Sequence, residues 1–246
     1  MKEKSWILLF AAVLISLSVV LYFIHFLIFQ DSHHIYIYTL GDIAFIPIEI
    51  LVVTLIVHRV LDAHNRKAKI EKLNMVIGTF FSAMGTWLLT YISDQDPHLD
   101  DLRENLIVSD QWTDEEFNRV NEIFRKYPAD IDINMVDLCI LKEFLQSREE
   151  FMIRLLENPI LYEHERFTSL LQAVFHLTEE LDKRPDVTSL PANDLSHLSG
   201  DIKRIYHALI SQWLDYMQYL KKNYPYLFSL AMRTNPFDDT ASPIIS

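Results

Sequence analysis

Two long apolar runs, Trp6 to Phe29 and Leu40 to Val57, open this chain and constrain its fold more than any other feature. A bilayer core of roughly 30 Å is crossed by about 20 helical residues, so each run is long enough to span. The polar patch Gln30 to His34 separates them, which predicts a helical hairpin over residues 1–60 with spans at about 6–29 and 38–58. Lys2 and Lys4 precede the first run, and no small-residue cleavage pattern follows it. A cleaved signal has a shorter apolar core of about 7 to 15 residues, so the run reads as an uncleaved signal anchor. Arg59, Arg66, Lys67, Lys69 and Lys72 follow the second run, whereas the intervening loop carries no Lys or Arg. Positive loops are retained in the cytoplasm, which puts both termini inside and His33, His34, Tyr36 and Tyr38 at the outer interface.

A third apolar stretch, Leu73 to Ile92, complicates this topology. Asn74, Thr79, Ser82, Thr86 and Thr90 interrupt it, and no proline lies between Pro47 and Pro97 to force a break. We therefore read residues 61–93 as a long amphipathic connecting or membrane-surface helix, with a third span as the alternative. Gly78, Ser82 and Gly85 are its helix-packing candidates. Gly78 and Ser82 have the spacing that lets two helices approach closely, although Gly78 could equally fit under a neighbouring side chain.

Charge divides the chain sharply at Ser93. Residues up to that point carry 7 basic and 6 acidic side chains, and the remainder 15 basic and 28 acidic. Nucleic-acid affinity comes largely from Lys and Arg displacing counterions, so an acidic remainder argues against nucleic acid as a partner. Cys139 is the single cysteine; it excludes an intrachain disulfide, fits a reducing compartment, and in its apolar context reads as core packing.

Only 4 glycines in 246 residues leave little turn chemistry for β-hairpins, and the fold class expected is all-α. Prolines punctuate the chain beyond Ser93. Thr113 with Glu116 predicts a capping box opening a helix through Phe117, Val120 and Phe124. Asn134 is placed as the cap of the next helix, whose stripe runs Leu138, Leu141, Leu145, Met152 and Leu155. Phe167, Leu170, Leu171, Val174, Leu177 and Leu181 give a third buried face, with Glu163, His164 and Glu165 at its start. A fourth helix runs from about Asp194 to Asn223. Short connections make successive helices neighbours, so 94–233 is expected to be an acidic cytoplasmic antiparallel bundle and 234–246 a flexible tail.

Candidate sites are few. A carboxylate within the bilayer is costly and persists where it has a partner, a proton or water, which singles out Asp42 and Glu49. His25, one turn from the outer end of the first span, could meet Asp42. His176 with Glu180, and His197 with Asp201, each have the one-turn spacing that puts two metal ligands on one helix face. Ten histidines in helical sequence produce such pairs by chance, and no HExxH occurs. No Gly-rich phosphate loop and no GxSxG elbow is present either, so no cofactor is expected. Asn235, Pro236 and Phe237 spell a short adaptor-recognition sequence, within an apolar segment that includes Tyr224, Tyr226, Leu227, Phe228 and Leu230.

Three stretches, GDIAFIP at Gly41 to Pro47, KLNMVIGTFF at Lys72 to Phe81 and YPYLFSLAMRTNPF at Tyr224 to Phe237, resemble a group of uncharacterised prokaryotic membrane proteins with an N-terminal two-span hairpin. The resemblance implies membrane placement and a prokaryotic source, and it carries no catalytic residue or ligand. The reading that follows is an integral inner-membrane protein whose partners are the lipid bilayer, a cytoplasmic protein and possible further copies of itself. Its expected role is a noncatalytic tethered interaction or sensing module. The alternatives are an oligomeric ion or proton channel using Asp42 and Glu49, and a membrane-anchored metalloenzyme using His176, Glu180, His197 and Asp201.

Overall fold

The computed structural model describes residues 2–99 and 103–244. The side chains of Lys2, Lys4, His34, Lys67 and Glu163, which the sequence reading invoked, lie outside the described residues. Among the described residues every regular element is helical, as the glycine-poor composition requires. The chain divides into two units, Met1–Arg66 and Lys67–Ser246.

The first unit holds α1 (Lys2–Phe29) and the N-terminal part of α2 (Ser32–Phe80). Two residues connect them. Gln30 takes the left-handed conformation, φ 48°, and its N–H donates to the Phe26 carbonyl at 2.8 Å, closing α1. Asp31 then caps α2, its Oδ1 accepting from the His33 N–H at 2.9 Å. Pro47 lies inside α2 without ending it. The large apolar side chains from Phe10 to Leu61 stand almost entirely exposed. Phe10–Phe29 and Ile35–Asp62 are long and apolar enough to cross a membrane.

The second unit is built around one long helix. After α2 come a π-helical segment (Phe81–Gly85), α3 (Thr86–Ser93), α4 (Asp114–Arg125), α5 (Leu138–Ser147), α6 (Glu149–Leu156), α7 (Glu165–Asp182), α8 (Ala192–Asn223) and α9 (Pro225–Arg233). α8 packs against α3, α4, α7 and α9, while α7 also packs against α5 and α6. The side-chain register fixes the directions. Asp114 meets Gln218 and Asn121 meets Ser211, so α4 runs antiparallel to α8. Arg166 meets Asp215 and Glu180 meets His197, so α7 does too. Leu198, Ile202, Ile205, Leu209, Trp213, Met217 and Leu220 of α8 are buried against these neighbours, each such side chain contributing about 1.5–3 kcal/mol when fully removed from water.

The stretch Leu73 to Ile92 belongs to this core. Leu73, Ile77, Phe80, Phe81, Met84, Leu88, Leu89 and Ile92 are buried within the helical unit, and Phe80 meets Phe167 edge-on at 5.4 Å between centroids. Its length and apolarity would suit a span, and half of the Ala68–Ser93 window is buried inside the protein. Small residues there serve close packing. A Cβ on Gly78 would lie 2.6 Å from the Tyr216 hydroxyl, and one on Gly85 2.6 Å from the Phe80 ring. Ser82 is exposed.

Other local expectations meet mixed outcomes. The capping box is present: Thr113 Oγ1 accepts from the Glu116 N–H at 3.3 Å, and the Glu116 carboxylate accepts from the Thr113 N–H at 2.7 Å. Asp137, not Asn134, caps α5, accepting from the N–H groups of Cys139 and Ile140, because it is the residue immediately before the first helical turn. Asn134 instead donates to Asp132. The stripe from Leu138 to Leu155 breaks at Arg148 into α5 and α6. Cys139 is exposed; it lies about 120° around the helix from the face defined by Leu138, Leu141 and Leu145. The expected flexible tail docks at its start. Phe237 is fully buried with its ring edge-on to Trp213, and Asn235 donates to the Leu106 carbonyl at 2.9 Å. Those burials remove the Asn235–Phe237 tripeptide from the reach of an adaptor domain.

Candidate histidine–carboxylate centre

The antiparallel pairing of α7 and α8 brings together two side-chain pairs that are far less informative apart. His176 and Glu180 are one turn apart on α7, His197 and Asp201 one turn apart on α8. In the structure they converge. His176 Nε2 lies 3.8 Å from Glu180 Oε1 and 3.8 Å from Asp201 Oδ2. His197 Nε2 lies 3.9 Å from Glu180 Oε2 and 3.5 Å from Asp201 Oδ2. His176, Glu180 and His197 each offer a donor atom within 4.8 Å of the others, the spacing of a set able to hold one metal ion.

Burial grades the four groups. The imidazoles of His176 and His197 are 47% and 52% exposed, Glu180 is 28% exposed and Asp201 only 4%. Two arginines hold the outer carboxylate oxygens. Arg184 donates to Glu180 Oε2 at 2.7 Å and, through two parallel bonds of 2.8 and 2.6 Å, to Asp194. Arg204 lies 3.2 Å from Asp201 Oδ1. The hydrogen bond from Arg184 pulls the Glu180 and Asp194 carboxyls below their ordinary pKa, so both are ionised at neutral pH. Asp201 Oδ2 is buried and accepts no hydrogen bond from the described residues. None of Arg184, Asp194 and Arg204 was singled out from the sequence. Arg184 and Asp194 sit ten residues apart across a loop, a separation without a local signature, while the i+3 spacing of Arg204 from Asp201 was visible but ordinary.

The candidates His25, Asp42 and Glu49 fall elsewhere. Asp42 and His25 line one groove of about 460 Å³ in the first unit, together with Tyr22, Tyr38 and apolar residues. Tyr22 donates its hydroxyl proton to Asp42 Oδ2 at 3.3 Å; the two are twenty residues apart, so no local spacing signals this partner. Glu49 does not line that groove. Gly78, Ser82 and Gly85 belong to the helical unit, where Gly78 lies against Tyr216 as described above.

The fold thus defines an all-helical protein with two exposed apolar helices and a separate helical domain carrying a histidine–carboxylate cluster. Residues 2–61 match the family model described as "MJ1433, N-terminal helical domain", and residues 69–233 match "Uncharacterized protein MJ1433, C-terminal helical domain". The chain belongs to this family. It is 47% identical to "Uncharacterized protein MJ1433" of Methanocaldococcus jannaschii over 239 residues, which cover 97% of this chain and 96% of the relative. No solved structure matches the chain.

Proposed function

We propose that the protein is a membrane-tethered, noncatalytic interaction or sensing module. α1 and the N-terminal part of α2 lodge in the cell membrane, both termini face the cytoplasm, and the acidic helical domain meets a cytoplasmic partner. The observation carrying this reading is the exposure of nearly every large apolar side chain between Phe10 and Leu61. Soluble monomers rarely expose contiguous apolar patches above a few hundred Å², and two apolar helices of this length suit a bilayer core. The positive residues that follow the second apolar run, Arg59, Arg66 and Lys69, support the orientation.

Alkaline carbonate extraction and a reporter fused after Ser246 test the placement. The full chain is expected to stay in the membrane pellet, with the reporter active on the cytoplasmic side; release into the supernatant or an extracellular reporter overturns it. Crosslinking in native membranes followed by mass spectrometry tests the module role, and the absence of any reproducible neighbour would sink it.

The groove lined by His25 and Asp42 favours a second reading, a proton or ion pathway in an oligomer. In reconstituted vesicles Asp42→Asn would then abolish flux. An absence of flux from the unaltered chain discards this reading.

A further inference from the structure

We propose that His176, Glu180, His197 and Asp201 form a binding site for one divalent transition-metal ion of the zinc type, clasping α7 to α8. This goes beyond the tethering role and does not depend on it, because every group involved lies within the helical domain. The first argument is geometric. A tetrahedral ion with bonds of about 2.0–2.2 Å holds its donors roughly 3.3–3.6 Å apart. His176, Glu180 and His197 have donor atoms within 4.8 Å of one another, and Asp201 Oδ2 lies 3.8 and 3.5 Å from the two imidazole nitrogens, so side-chain adjustment about these positions brings the donors to that spacing.

The second argument is the state of the carboxylates. Asp201 Oδ2 is buried, receives no hydrogen bond from the described residues, and faces both imidazoles. A buried carboxylate oxygen without a hydrogen-bond donor is costly unless another partner, such as a cation, satisfies it. Each carboxylate also has a division of labour between its oxygens. Arg184 occupies Glu180 Oε2 and Arg204 lies against Asp201 Oδ1, leaving Glu180 Oε1 turned toward His176 and Asp201 Oδ2 toward both histidines. Outer partners that orient ligating side chains in this way are a regular feature of metal centres.

Charge agrees with the assignment. With neutral imidazoles, the carboxylates of Glu180, Asp201 and Asp194 outnumber the guanidiniums of Arg184 and Arg204 by one, and the second half of the chain is strongly acidic. Two nitrogen and two carboxylate donors suit Zn²⁺ and its first-row neighbours better than Ca²⁺ or Mg²⁺, which take oxygen ligands. Four protein donors close the coordination shell, which is the arrangement of a structural ion and not of a catalytic one with an open position. Two ligands from each of two facing helices also match the way metal sites are built into helical bundles. The half-exposed imidazoles leave an entry path from solvent.

The test uses the full chain in detergent, with any affinity tag removed, titrated with Zn²⁺ by calorimetry and with Co²⁺ by visible absorption. About one equivalent of Zn²⁺ should bind per chain, and Co²⁺ should give the intense visible bands of tetrahedral coordination. His176→Ala and His197→Ala, at half-exposed positions that leave the core intact, should each weaken binding at least about 100-fold, and Arg184→Gln about tenfold through the orientation of Glu180. Zn²⁺ should also raise the unfolding temperature of the unaltered chain and not that of His176→Ala. Uptake below about a tenth of an equivalent overturns the proposal and leaves a histidine–carboxylate cluster without an ion. Wild-type affinity in both histidine variants, with folding checked by circular dichroism, overturns it as well, by placing the ion elsewhere.

Discussion

At the scale of single residues, two positions in the helical domain have consequences that can be measured. Gly78 leaves room for the hydroxyl of Tyr216, whose ring stacks on Phe81 at 5.6 Å and 10° and so cannot swing aside without losing that contact. Gly78→Ala should destabilise the domain by about 1–3 kcal/mol, the usual result of overpacking. Tyr216→Phe should recover part of this loss, since the oxygen is the atom that a Cβ would meet at 2.6 Å. Denaturant unfolding of the two single variants and the double variant checks the coupling, and strict additivity would contradict it. Tyr206 is fully buried, and its hydroxyl has no hydrogen-bond partner among the described residues. Burial pushes that phenol far above its ordinary pKa, with Asp96 adding to the effect. Tyr206→Phe keeps the ring and removes the desolvated hydroxyl, so it should leave stability unchanged or raise it by about 1 kcal/mol; a clear fall in the unfolding midpoint would contradict this.

Between elements, the join of α7 to α8 is electrostatic on one side and apolar on the other. Arg184, just beyond α7, grips Glu180 on α7 and Asp194 in the first turn of α8. Both carboxyls have folded pKa values below their free ones. Their stabilising contribution is therefore complete above the unfolded values of about 4 and disappears as the pH falls through the depressed folded values. Thermal unfolding in the absence of added metal should show the midpoint dropping on acidification below about pH 4.5. Arg184→Gln should lower the midpoint at neutral pH and flatten this acid limb. An unaltered acid limb would mean that the tie contributes nothing, as many partly exposed ion pairs do.

For the whole molecule, the two units differ in what they show to their surroundings. In the first, apolar side chains point outward almost without exception; in the second they line a common core, and among the described residues Ile70, Met75, Ile107, Met135, Ile140, Ile153, Tyr226, Leu227, Leu230 and Ile244 are the large apolar residues standing exposed, scattered along the sequence. Removing residues 1–68 should yield a fragment that remains in the supernatant of a high-speed spin without detergent. The full chain should require detergent. A fragment that pellets would show that the helical domain itself adheres to membranes or aggregates.

Periodicity and local spacing were enough to establish the all-helical class, the two apolar helices, the Thr113–Glu116 box and the buried face from Phe167 to Leu181, because each depends on residues within one or two turns. The two metal-spaced pairs were equally visible as pairs. Their convergence was not, since it depends on α7 and α8 folding antiparallel so that residue 180 meets 197 and 176 meets 201. The Leu73–Ile92 stretch was ambiguous for a related reason: a helix offers the same apolar pattern to lipid and to protein. Only the tertiary structure, by burying Phe80 beside Phe167 and Phe237 beside Trp213, decided what covers it and where the chain's last segment docks. Interactions within a helix are written in sequence spacing, whereas those between helices depend on which faces meet when the core closes.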